Sequence, residues 1–211
     1  MNTLDISSSN GTQYSVTFKN DSSAPWLVYL FQKAPSQPAD VFSTAWQVSP
    51  FKIAVNASFK FIWSIDYSFV WGSTGALSDG VIFEAQEVKP ADPATDNITL
   101  FDMIDNVPDF YPATSAGTAG SLTVQAGESF PAKTFTTGIG MSGRPVAVQQ
   151  ALVNIEQIYT PELEYFIAVG TSVQSGQVLS QAVSKCQNLH FPANVYDLTA
   201  TLDSSQNWSV N

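Results

Sequence analysis

Bulky apolar side chains recur at every second residue through long stretches of this chain, a period that strands satisfy and helices do not. Tyr14, Val16 and Phe18 alternate with Ser15, Thr17 and Lys19. Successive side chains of a strand point to opposite faces, so this spacing puts an apolar stripe on one face and a wettable one on the other. The strongest such stretch reads as one strand from Ser58 to Ser68. Phe59, Phe61, Trp63, Ile65 and Tyr67 face one way, with Lys60, Ser64 and Asp66 opposite. A stripe of that kind would contribute on the order of 10 kcal/mol before conformational entropy is subtracted.

The rest of the chain follows the same logic. Asn20 to Ser23 supplies a turn, and Trp26 to Gln32 is apolar on both faces and therefore central. A third strand is expected near Val41 to Val48 and another over Val81 to Val88. Residues 89–120, punctuated by four prolines, read as a surface excursion carrying one short strand at Ile98 to Phe101. Strands resume at Ser121 to Gln125, Ala132 to Thr137, Val146 to Leu152, Tyr165 to Val169, Tyr196 to Leu202 and Trp208 to Val210. Between Gln177 and Gln187, the positions of Val178, Leu179, Ala182, Val183 and Cys186 fit a helical face, so at most one short helix is predicted, near 177–187. No internal repeat or linker divides the chain. The expected architecture is all-β: a single-domain antiparallel β-sandwich over 12–211 behind a flexible N-terminal leader, 1–11.

Composition narrows the function classes. The 211 residues include one Arg, one His and one Cys but 26 aromatics, and only 12% are charged, roughly half the usual share. The side chains that most often transfer protons, attack as nucleophiles or hold metals and phosphates are thus nearly missing, and the expectation is a non-enzymatic protein without cofactor or metal. Eighteen acids against 8 bases give a net charge of −10, which repels phosphate backbones and argues against nucleic-acid partners. No apolar run is long enough to insert into a membrane, and residues 1–11 lack the basic and apolar regions of a secretory signal, so an intracellular location is expected. Five Asn-x-Ser/Thr sequences begin at Asn10, Asn20, Asn56, Asn97 and Asn207; without a signal they read as polar residues at strand edges rather than glycan sites.

Each candidate for chemistry has a plainer reading. Gly138 to Gly143 spells G-x-G-x-x-G, but a strand-like run follows where a dinucleotide site needs a helix, so a tight glycine-permitted connection between strands is expected. His190, between Leu189 and Phe191, reads as a structural imidazole rather than the base of a triad. Asp102, Asp105 and Asp109 fit no EF-hand spacing and read as a solvated acidic loop. Glu162 and Glu164 would share a strand face as a glycosidase-like pair, with nothing else to support that role. Trp71, Tyr111 and Tyr159 lie near turns and are the candidates for a sugar-stacking surface. Cys186 has no second cysteine to pair with; it is either a small buried hydrophobe or the site of an intermolecular disulfide between copies.

Several segments in order resemble the RhiA-like (rhizosphere-induced protein) family: Tyr14 to Asn20, Asp66 to Trp71 with Gly75, Gly80 to Phe83, Gly138 to Gly143, Phe191 to Asn194, and Asn207 to Val210. The resemblance spans about residues 13–211. It implies an abundant, soluble protein without a secretory signal, and provides no catalytic residues to carry over. In size and overall character the chain is also similar to a crystal-forming vacuolar protein of a zygomycete fungus. The leading expectation is therefore a structural protein whose partner is itself, assembling into intracellular inclusions or crystals, cytoplasmic if bacterial and vacuolar if of the fungal kind. Sparse charge, a sequence pI near 4.2 and cross-linking through Cys186 would favour such packing. The rival expectation is a lectin-like module that binds carbohydrate or another small ligand through Trp71, Tyr111 and Tyr159.

Overall fold

The computed structural model describes residues 12–161, 164–180, 183 and 185–211. The expected leader, 1–11, lies outside the described residues, as do Glu162 and Ala182. The chain runs through β1 (Gln13–Asn20), β2 (Leu27–Lys33), β3 (Val41–Ser43), β4 (Gln47–Val48), β5 (Ser58–Ser64), β6 (Tyr67–Gly72), β7 (Glu87–Ala91), β8 (Ile98–Ile104) and β9 (Val107–Phe110). It continues through β10 (Leu122–Ala126), β11 (Thr136–Met141), β12 (Arg144–Gln150), β13 (Glu156–Tyr159), β14 (Glu164–Gly170), β15 (Gln187–Asn188), β16 (Asp197–Leu202) and β17 (Trp208–Val210). The protein is all-β and sandwich-like, and no helix occurs among the described residues.

Four sheets form, in the orders β17-β16-β1-β5, β13-β10-β8-β9, β3-β12-β11-β6-β7 and β15-β14-β2-β4. Most pairs are antiparallel, as expected. Two are not: β1 runs parallel to β16 and β8 parallel to β10. Pairing the first strand with one near the chain's end brings Tyr14 and Ser15 beside Tyr196 and Asp197, and Ser15 N–H donates to the Tyr196 carbonyl at 2.8 Å.

The stripe read as one strand over 58–68 is two. Phe59, Phe61 and Trp63 belong to β5, while Tyr67 begins β6 in a different sheet. Between them the chain turns. The Asp66 carboxylate accepts from the Ser64 hydroxyl and from the backbone N–H and hydroxyl of Ser142, each at 3.1 Å, which leaves Ile65 41% exposed. The segment 81–88 is likewise mostly irregular, with one bridge from Ile82 to Gln177 before β7 starts at Glu87. Gln177 and Val178 form no helical turn. Their backbones bridge laterally to Ile82 and Thr44, and Gln187–Asn188 is a strand.

One hydrophobic cluster draws on strands of all four sheets, including Phe18, Leu30, Trp63, Phe69, Phe101 and Leu122. At its centre Trp46 is fully buried and donates its ring N–H to the Met141 carbonyl at 2.8 Å. That bond satisfies the polar end of the largest side chain in the core. A smaller cluster on the β2–β14 sheet gathers Tyr29, Phe31, Ala45, Ala168, Val173 and Leu179, with Cys186 at its margin.

Candidate functional site

The residues singled out for chemistry mostly serve the fold. Gly138 and Gly140 lie within β11, and the connection to β12 is the two-residue turn Ser142-Gly143, both at positive φ (49° and 70°). Positive φ at both positions is what a type I′ hairpin turn requires. No helix N-terminus follows to receive a pyrophosphate. Asp105 and Asn106 make a second such turn between β8 and β9, with φ of 52° and 67°. Asp102 anchors the loop after β10, accepting from the Ser129 backbone N–H at 3.0 Å and its hydroxyl at 3.3 Å. Among the described residues no three His, Cys, Asp or Glu side chains gather as a metal site would need.

Trp71, Tyr111 and Tyr159 form no open aromatic surface. Trp71 is 8% exposed and Tyr159 5%, so neither offers an open face for stacking; only Tyr111, at 39%, does. The Trp71 ring N–H donates to Glu87 Oε2 at 2.7 Å, and the Tyr159 hydroxyl donates to the Thr137 carbonyl at 3.4 Å. Burial raises the Tyr159 pKa well above the ordinary phenol range. These side chains fill the interior because a position near a turn in sequence is not a position at the surface.

A different set of aromatics meets at the surface. Tyr14 is stacked on Trp63 and Tyr165 (centroids 6.1 and 6.4 Å apart) and edge-on to Phe191 and Tyr196 (5.1 and 5.4 Å). Four elements supply them: β1, β5, β14 and the segment before β16. On one side of Tyr14 lies a cavity of about 280 Å³, bordered by Tyr165, Phe191, Glu164, Asn188 and His190. On the other lies one of about 290 Å³, bordered by Gln13, Ser15, Lys60, Tyr196 and Asp197. Asp197 Oδ2 accepts from Lys60 Nζ and from the Ser15 hydroxyl, both at 2.5 Å, and these two donors hold its pKa below the ordinary carboxylate range. Tyr165 is pushed up to about 12, chiefly by burial. His190 is exposed on the rim, and no hydroxyl among the described residues hydrogen-bonds its ring.

Sequence reasoning missed this cluster because its members are up to 182 residues apart: the β1–β5 pairing sets Tyr14 against Trp63, the parallel β1–β16 pairing brings Tyr196 beside Tyr14, and Tyr165 comes from a different sheet. The available hint was the short aromatic-bearing stretch from Leu189 to Tyr196, which lies in no long strand.

Cys186 is half-buried and borders a separate cleft of about 150 Å³ with Phe31, Lys33, Gln37, Phe166 and Leu179. Its thiol donates to the Val183 carbonyl at 3.4 Å, and burial raises its pKa despite the nearby Lys33. At neutral pH little of it is thiolate, the form that attacks a disulfide.

The chain is thus an all-β, multi-sheet protein. A family model described as RhiA matches residues 11–211. Protein RhiA of Rhizobium leguminosarum bv. viciae is 40% identical over 202 residues, covering 95% of this chain and 87% of that protein. The chain belongs to the RhiA family. No solved structure matches it.

Proposed function

We propose that this protein is non-enzymatic and works by associating with copies of itself into dense assemblies, such as inclusions or crystals, as the pH falls toward its pI. The observation that carries this reading is an exposed apolar band at the end of one sheet. Leu152, Val153, Ile155 and Ile158 are 40–55% exposed, and β13, which bears Ile158, is the terminal strand of its sheet. From Gln150 to Thr160 the only carboxylate is Glu156. It is the one formal charge on the band. At neutral pH the net charge of −10 keeps copies apart; near a pH of about 4.2 that repulsion disappears and the band is free to pair.

A disulfide through Cys186 is the secondary part of the proposal. Bridged sulfurs lie about 2 Å apart, so two half-buried thiols would have to meet at the mouths of their clefts. Non-reducing electrophoresis of aged native material is expected to show a dimer that Cys186→Ser abolishes; monomer alone removes the cross-link.

The central test is sedimentation velocity at pH 7 and near the pI. Wild type is expected to be monomeric at pH 7 and associated near pH 4.2. The Ile155→Gln/Ile158→Gln variant, with the same charge, is expected to associate less under identical conditions. A wild type that stays monomeric at the pI, or a variant that assembles equally well, overturns the reading.

A further inference from the structure

The two cavities flanking Tyr14 share a chemistry that the self-association reading does not use. Tyr14 borders both, with Tyr165 and Phe191 in one and Tyr196 in the other beside aliphatic and polar side chains, and Tyr196 is 42% exposed, which leaves ring surface open to a ligand. The packing of Tyr14 against Trp63, Tyr165, Phe191 and Tyr196 holds this floor rigid before anything binds. The rim is polar with spare capacity. Asp197 Oδ1 and the side chains of Glu164, Asn188 and His190 make no hydrogen bond among the described residues. Acceptors and donors are both present, while charge is close to balanced: Lys60 and Asp197 form an ion pair, and Glu164 adds one further carboxylate.

That combination selects a ligand class. An anion such as a phosphate would meet two carboxylates and one already-paired lysine. A purely apolar ligand would strand the polar rim without partners. A neutral saccharide has C–H faces that pack on aromatic rings and hydroxyls that donate to carboxylates and exchange bonds with an amide. Each cavity is near the lower end of the usual range for small-ligand sites, roughly 300 Å³, which suits one sugar ring on either side of Tyr14.

We propose that the Tyr14 cleft binds a neutral saccharide, with one ring on Tyr196 hydrogen-bonded to Asp197 and a second beside Phe191 reaching Asn188 and Glu164. The site is separate from the Leu152–Ile158 band, so either reading can fail without the other. The test uses the full chain at pH 7 with maltose, cellobiose, chitobiose and mannobiose as neutral probes, and glucose 6-phosphate and inorganic phosphate as charged ones. Saturation-transfer NMR detects contact, and intrinsic fluorescence titration reads affinity through Trp63, which stacks on Tyr14. Saturable binding of at least one neutral disaccharide is expected. Tyr196→Ala and Asp197→Asn should each weaken it by roughly ten-fold or more, the loss of one stacking face or one charge-assisted hydrogen bond. Both residues are exposed, so neither substitution should move the Tm by more than a few degrees. Binding of none of the disaccharides, binding of the phosphate probes alone, or affinity unchanged in both variants overturns the proposal.

Discussion

At the residue scale, Asn20 shows how a sequence motif can conceal a structural role. Its side chain is fully buried: Nδ2 donates to the carbonyls of Ala24 (2.9 Å) and Ile53 (2.8 Å), and Oδ1 accepts from the Ser22 hydroxyl (2.6 Å). Asn97 is 1% exposed and does the same for the loop at 113–120, accepting from Gly117 N–H at 3.0 Å. Both begin glycosylation sequences, yet a folded chain has no room for a glycan on either. The sequence reading that they are not glycan sites rested on the expected absence of a secretory signal; burial supplies an independent reason, and it places them inside rather than at strand edges. Asn20→Ala removes four hydrogen bonds from a fully buried site: those from Nδ2 to the Ala24 and Ile53 carbonyls, and those that Oδ1 accepts from the Ser22 backbone N–H and hydroxyl. It is expected to destabilise the protein by about 2–4 kcal/mol in a urea titration. Gly138→Ala is expected to cost at least as much, because the new Cβ would sit 2.1 Å from the Ala147 carbonyl oxygen, a backbone atom that can move only by distorting the β11–β12 pair. The G-x-G-x-x-G spelling was legible as a tight glycine-permitted connection between strands, which the Ser142-Gly143 turn makes, but not as the close approach that Gly138 makes inside β11. Nor was it legible that the approaching group is the backbone of β12.

At the element scale, the strands that alternate in the ordinary way were legible and those that invert the pattern were not. β1 and β14 lie within a residue or two of where their periodicity puts them. β13 was missed, because Glu156 and Ile158 face solvent while Gln157 and Tyr159 are buried. A buried glutamine breaks the apolar period. It is tolerated because its Oε1 accepts from the Thr137 hydroxyl at 2.5 Å and its Nε2 donates to the Gln150 carbonyl at 2.8 Å. Where at most one short helix is predicted, near 177–187, the described residues Gln177 to Leu179 are not helical for a related reason. Leu179 N–H donates to Ser43 and Val178 N–H to Val81, so the donors that a helix would use internally go to neighbouring segments. Two edge strands of different sheets, β7 and β9, meet through carboxyl groups. Burial raises the pKa of Glu87, and the adjacent Asp109 carboxyl raises it further; the Trp71 bond and Lys89 pull the other way. A carboxyl whose folded pKa lies above its unfolded value holds its proton more tightly when folded. Its stabilising contribution is therefore complete at low pH and is lost as the pH rises from the ordinary value of 4.5 through the raised one. Glu87→Gln, which removes the repulsion while Gln can still accept from Trp71, is expected to raise the urea midpoint at pH 7. It should also flatten the decline of stability above pH 4.5. An identical pH profile for variant and wild type would show that the two carboxyls do not sense each other.

At the scale of the whole molecule, the sparse charge that marked the sequence has a consequence that individual strands do not. With 12% of residues charged and acids outnumbering bases by 18 to 8, copies repel one another at neutral pH chiefly through long-range net charge rather than through a dense charged shell at each contact. Salt and acid should therefore act differently on association. Raising NaCl from about 0.15 to 1 M shortens the Debye length from roughly 8 to 3 Å, which weakens repulsion between whole molecules but leaves a carboxyl group, that of Glu156, inside the band. Lowering the pH toward the pI removes the net charge itself. If the band at Leu152–Ile158 is the contact, 1 M NaCl at pH 7 is expected to produce weak association, and acid near the pI much stronger association at the same protein concentration. Glu156→Gln separates the two effects. It takes one carboxylate out of the band while changing the net charge from −10 only to −9, and it should bring the high-salt association at pH 7 close to the acid level. Light scattering across a salt series for wild type and Glu156→Gln reads this directly. Equal salt curves for the two proteins would mean that copies meet elsewhere on the surface, and that net charge alone sets the assembly.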